Sequence, residues 1–196
     1  MANPIFEQLL SFILGQFNQN KPQILDQVKT AAAQEVEKPT EPVPVEITDG
    51  IDWTNGAQKV SEHFTVREMI YLPTWKRSAL ESDGLDATVK ANLLILAKAM
   101  DQVREYFGKS VNVHVTYRPL EYNKAIHGAL HSQHSVGSAM DFDVVGMTCG
   151  DAIRQIVKDN KLEDWKMRCE DNGENPAWIH LDLKPLEAGH ARHFRP

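Results

Sequence analysis

Between Asp86 and Phe107 apolar residues return at helical spacing, with Val89, Leu93, Ala97, Met100 and Val103 on one face and Gly108 behind them as a stop. This pattern predicts the longest helix of the chain. Downstream the period changes to two. Ala139 to Val145 alternates so that Met140, Phe142 and Val144 enter a core while Asp141 and Asp143 share the opposite face. Trp178 to Leu183 does the same, with Ile179, Leu181 and Leu183 on one side and Trp178, His180 and Asp182 on the other. Val111 to Tyr117 reads as a further strand, and Phe64 to Met69 opens a helix-like segment. Thr148 caps a helix reaching Asn160, with Asp151 placed for a capping box. The order helix, strand, loop, strand, helix, strand, strand predicts an α+β fold with a small, mainly antiparallel sheet flanked by helices.

The first fifty residues are patterned differently. Ile5, Phe6, Leu9, Leu10, Ile13, Leu14 and Phe17, followed by Ile24, Leu25 and Val28, give a wide apolar face broken by the polar stretch from Asn18 to Pro22. We expect an N-terminal helical extension over residues 1–34, a Pro/Glu-rich linker over 35–55 marked by Pro39, Pro42 and Pro44, and one globular domain over 56–196. No Lys or Arg precedes Lys21, and Glu7, Gln8 and Gln16 interrupt the apolar run. Neither a signal peptide nor a stable membrane span is expected, so synthesis is placed in the cytoplasm. The expected role of the extension is packing or self-association, with docking to a larger assembly such as a virion as the alternative.

Composition narrows the partners. The 196 residues carry a formal charge of −6, without a block of Lys or Arg, which argues against nucleic acid. The two cysteines, Cys149 and Cys169, lack Cys-x-x-Cys spacing and are expected to be free thiols.

The chemistry lies in Ser132-Gln-His-Ser-Val-Gly-Ser-Ala-Met-Asp141 and in Trp178-Ile-His-Leu-Asp182. His134, Asp141 and His180 offer two imidazole nitrogens and one carboxylate oxygen, which suits Zn²⁺ with an open fourth position, a catalytic and not a closed structural site. Gly137, beside Ser138 and Ala139, permits the tight path that returns the chain toward the metal. Asp143 and Asp182 are expected as hydrogen-bond acceptors near the ligands or as rim residues. His63, His114, His127, His131, His190 and His193 are expected away from the metal.

These motifs resemble the zinc peptidases of the D-alanyl-D-alanine carboxypeptidase and L-alanyl-D-glutamate endopeptidase kind, whose fold is shared by the hedgehog signalling domain. The Ser-x-His-x-x-Gly-x-Ala-x-Asp pattern is matched at every fixed position, and the likeness extends upstream through Val113 to Asn123, covering roughly residues 60 to 185. It implies a peptidase acting on bacterial peptidoglycan peptide, with Arg118 binding a substrate carbonyl or carboxylate and steadying oxyanion charge. Tyr117, Ser132 and Gln133 are expected along the same cleft. Many members carry an acidic residue three positions before the second histidine ligand, where this chain has Ala177. Two substitutes stand nearby. Glu174 has the six-residue spacing of hedgehog-type relatives, and Glu170 resembles the glutamate that ends the preceding strand in phage-type members. The turn chemistry of Asp171-Asn172-Gly173 favours Glu170. The implied setting is a phage or prophage endolysin, acting on the wall after release or as part of a virion. The alternatives are a non-catalytic zinc-containing wall-binding or signalling module and a structural virion component.

Overall fold

A computed structural model describes residues 50–174 and 176–195, all within one compact unit, Glu46–Pro196. The expected helical extension, residues 1–34, lies outside the described residues. Of the expected linker only residues 50–55 are described, and there Ile51 and Trp53 pack against the core.

Local signals account for the helices. Helix α1 (Val66–Ile70) begins at Thr65, whose hydroxyl accepts from the Glu68 N–H while the Glu68 carboxylate accepts from the Thr65 N–H, a reciprocal capping box. A two-residue hairpin follows, β1 (Tyr71–Leu72) and β2 (Arg77–Ser78). Helix α2 (Ala87–Phe107) starts on the Asp86 side chain and stops at Gly108 in the left-handed region. All five apolar residues assigned to its inner face are buried. On its other end the Asp101 carboxylate accepts from the Ser61 hydroxyl and the Glu62 and His63 N–H groups, which ties the preceding loop to the helix.

The main sheet has strand order β3-β4-β6-β5-β7, comprising β3 (Val111–Val115), β4 (Ala139–Val144), β5 (Arg168–Glu170), β6 (Ile179–Asp182) and β7 (His193–Phe194). Its first three pairings are antiparallel and β5–β7 is parallel. Three helices occupy the connections: α3 (Leu120–Ala125) after β3, then α4 (Cys149–Lys158) and α5 (Lys161–Trp165) between β4 and β5. Thr148 caps α4 by accepting from the Asp151 N–H. The α+β class and mainly antiparallel sheet match the expectation, and β7, α3, α5 and the β1–β2 hairpin are additions to it.

Period-two alternation gives the sheet two different faces. Met140, Phe142, Ile179, Leu181 and Cys169 are fully buried and join Leu93, Met100, Ile156 and Met167 in one hydrophobic core, where each large side chain removed from water contributes about 1.5–3 kcal/mol. The other face carries Asp141, Asp143, His180 and Asp182. Only the polar face is open to chemistry.

Gly137 joins this face to α2. It closes the 3₁₀ turn Gln133–Val136 at φ +73°, and a Cβ there would stand 3.0 Å from the Val89 carbonyl and 3.1 Å from Leu93 Cγ. Gly137→Ala is therefore expected to lose about 2 kcal/mol of stability, from left-handed strain and crowding together. Urea unfolding measures it, and a loss below about 0.5 kcal/mol would contradict this packing.

Candidate metal centre

Register creates the site. In the β4–β6 ladder Asp141 stands directly opposite His180, so a carboxylate and an imidazole project side by side from adjacent strands. His134 reaches the same point from the 3₁₀ turn, fully buried, with its Nδ1–H donating to the Thr116 carbonyl at 2.7 Å. That bond fixes the tautomer and leaves the Nε2 lone pair facing inward.

Three donor atoms converge there. Asp141 Oδ1 lies 3.1 Å from His134 Nε2 and 2.7 Å from His180 Nδ1, and the two nitrogens are 3.2 Å apart. Donors on a tetrahedral zinc with bonds of about 2.0–2.1 Å sit about 3.3 Å from one another, so a small expansion accommodates the ion. Among the described residues one other group can gather ligand atoms in this way, Glu62, His63 and Glu105. In it both glutamates are exposed at the surface.

Crowded lone pairs require positive charge, and the protonation pattern reflects it. Burial disfavours the His180 imidazolium, but hydrogen bonds and charge from Asp141 and Asp182 outweigh burial and raise its pKa to about 9. Burial dominates at His134 and lowers its pKa despite Asp141. For Asp141 burial acts upward, yet the hydrogen bonds from both histidines hold its carboxyl far below the ordinary range. A proton on His180 thus occupies the place a metal cation would take.

Further residues hold these side chains in place. Asp182, 1% exposed, lies 3.4 Å from His180 Nε2. It accepts a two-pronged bond from Arg168, Nε to Oδ1 at 2.9 Å and Nη2 to Oδ2 at 2.8 Å, and Oδ1 also accepts from the Lys184 N–H. Sequence reading named Asp182 but missed Arg168 and Thr116. Arg168 could have been found from strand arithmetic, since it sits opposite Asp182 in the β5–β6 ladder. Thr116 acts through a main-chain carbonyl, which carries no side-chain signal.

The other expected residues divide. Arg118 donates to the Ser132 hydroxyl at 3.0 Å and lies 4.0 Å from Asp141 Oδ2. Burial lowers its pKa, with Asp141, Tyr122 and Glu170 acting in the opposite direction. Ser132 and Gln133 are half-buried beside His134. Tyr117 requires correction: it is 2% exposed and its hydroxyl donates to the Asp83 carbonyl, so it belongs to the core and not to the cleft. Asp143 points along the same face but turns to Asn112 and His114, which both bond it. Glu170 ends β5 two residues after Arg168, on the face that alternation gives them both, half-buried and near enough to Arg118 to act on its charge. Glu174 is exposed in the following loop, its backbone against Gly150. Cys169 is buried, with its thiol pushed up to about 12 chiefly by that burial, and Cys149 is free as well. Neither presents a thiolate.

Residues 62–182 match the family model described as Peptidase M15. No curated protein and no solved structure matches the chain.

Because a metal must displace the His180 proton, apparent affinity for Zn²⁺ is expected to rise by up to tenfold per pH unit between about pH 6 and 8 and to level off as pH passes about 9. Competition against a chelating dye across this range measures it. A flat profile would show that His180 is not the proton the metal replaces.

Proposed function

The chain belongs to the peptidase M15 family, and from that premise we propose that it is a zinc peptidase hydrolysing a peptide bond in the stem peptide or cross-link of bacterial peptidoglycan. The observation that carries this reading is the convergence of Asp141 Oδ1, His134 Nε2 and His180 Nδ1, 2.7–3.2 Å from one another, with Arg118 4.0 Å from Asp141. Glu170 ends the neighbouring strand β5, near enough to Arg118 to act on its charge.

His134, Asp141 and His180 would hold the ion. Zn²⁺ bound there supplies Lewis acidity, which polarises a carbonyl and makes water more acidic. Glu170, at the end of the strand beside β6, would accept the proton of the attacking water and return it to the leaving amine. Arg118 offers a flat fork to a substrate carbonyl or carboxylate. Its burial strengthens that attraction, since water competes little there. Ser132, which accepts from Arg118, orients the fork. Glu174 lies exposed in the loop after β5, and the reading gives the proton transfer to Glu170.

Peptidoglycan as substrate rests on the motif resemblance of residues 132–141 and 178–182. An endolysin or a wall-opening virion component is the setting proposed with it. Among the described residues no helix is long and apolar enough to cross a membrane.

Purified peptidoglycan incubated with the zinc-loaded protein should release fragments with new peptide termini, identified by mass spectrometry and absent after chelation. Glu170→Gln is expected to lower the rate by about 10²–10⁴-fold with zinc retained, and Glu174→Gln by less than about threefold. Intact wall after treatment with protein holding one zinc would favour a wall-binding module over a peptidase.

A further inference from the structure

We propose that the carboxy-terminal strand β7 positions the metal ligand His180 through one contact chain: Phe194 covers Arg168, Arg168 locks Asp182, and Asp182 holds the outer nitrogen of His180. The proposal rests on the reading of His134, Asp141 and His180 as metal ligands. It concerns a segment beyond residues 62–182, the part matched by the family model.

The chain of contacts is continuous. Arg168 stands with its guanidinium carbon 4.5 Å from the centre of the Phe194 ring, a stacked cation–aromatic arrangement that keeps the fork flat. Both oxygens of Asp182 are then fully engaged. Oδ1 accepts from Arg168 Nε and the Lys184 N–H, while Oδ2 meets Arg168 Nη2 at 2.8 Å and His180 Nε2 at 3.4 Å. Three hydrogen bonds hold this carboxylate, and the face it turns to His180 Nε2 steadies the imidazole plane that aims Nδ1 inward.

The backbone explains why Phe194 arrives there. β7 pairs in parallel with β5, Glu170 opposite Phe194, which puts the ring on the polar face with Glu170 and Arg168. The Cys169 N–H donates to the Arg192 carbonyl at 2.7 Å and the Asp171 N–H to the Phe194 carbonyl at 2.6 Å. Two paired residues make a weak ladder by themselves. Ion pairs at both ends reinforce it, Arg192 with Glu163 at 2.8 Å and Arg195 with Asp171 at 3.1 Å. Phe194 is half-buried and stands outside the hydrophobic core, so its contact with Arg168 is not incidental to core packing.

Zinc affinity of the full chain tests this. The wild-type protein is expected to bind one Zn²⁺ and His134→Ala to lose it, which secures the ligand reading independently. Phe194→Ala is then expected to weaken zinc binding about tenfold and to shift the visible band of the Co²⁺-substituted protein, while Phe194→Tyr keeps both near wild type. In an Arg168→Gln background, or Arg168→Lys where that variant does not fold, Phe194→Ala should add less than about twofold, because its route to His180 is already cut. Unchanged affinity in Phe194→Ala, or the same factor in both backgrounds, overturns the proposal and leaves the metal centre intact. A wild-type chain that takes up no zinc overturns both.

Discussion

One oxygen atom organises this protein. Asp141 Oδ1 is within hydrogen-bond distance of a nitrogen from each of two histidines, and the three atoms would repel one another unless a proton or a metal cation stood among them. Such a cluster persists only where the surroundings prevent the side chains from turning away. Every feature near it serves that restraint. The Thr116 carbonyl holds His134, Asp182 with Arg168 holds His180, and the β4–β6 register delivers Asp141 opposite His180.

The restraint is possible because the sheet divides its labour by face. Alternate residues of β4, β5 and β6 fill the core, and their neighbours supply ligand, ligand support and proposed base. Moving any of these strands by one residue would exchange the two sets, placing carboxylates in the core and Phe142 or Leu181 at the metal. Folding and chemistry are thus specified by the same register. Gly137 adds a point where the turn carrying His134 touches the long helix closely enough to exclude a side chain.

Much of this was legible because it is periodic. The α2 stripe, the alternation of Ala139–Val144 and Ile179–Asp182, and the pairing of His134 with Asp141 across a glycine turn all leave marks at fixed spacing. What was not legible depends on partners distant in sequence. Tyr117 was expected at the cleft through the motif resemblance around Arg118. Its hydroxyl bonds the Asp83 carbonyl, a partner 34 residues away that no local motif records. β7 is two residues long and has no period to detect. The spacing of Glu170 and Glu174 from His180 does not decide between them, and the structure puts Glu170 at the end of β5 and Glu174 in the loop that follows.

The claim on which the account stands is that two imidazoles and one carboxylate bind the metal and leave a position open. X-ray absorption of the zinc-loaded protein tests it directly. The account predicts four nitrogen and oxygen neighbours at about 2.0–2.1 Å, two with imidazole outer-shell scattering and one exchangeable. A sulfur neighbour near about 2.3 Å, or a shell with no imidazole signal, would contradict it.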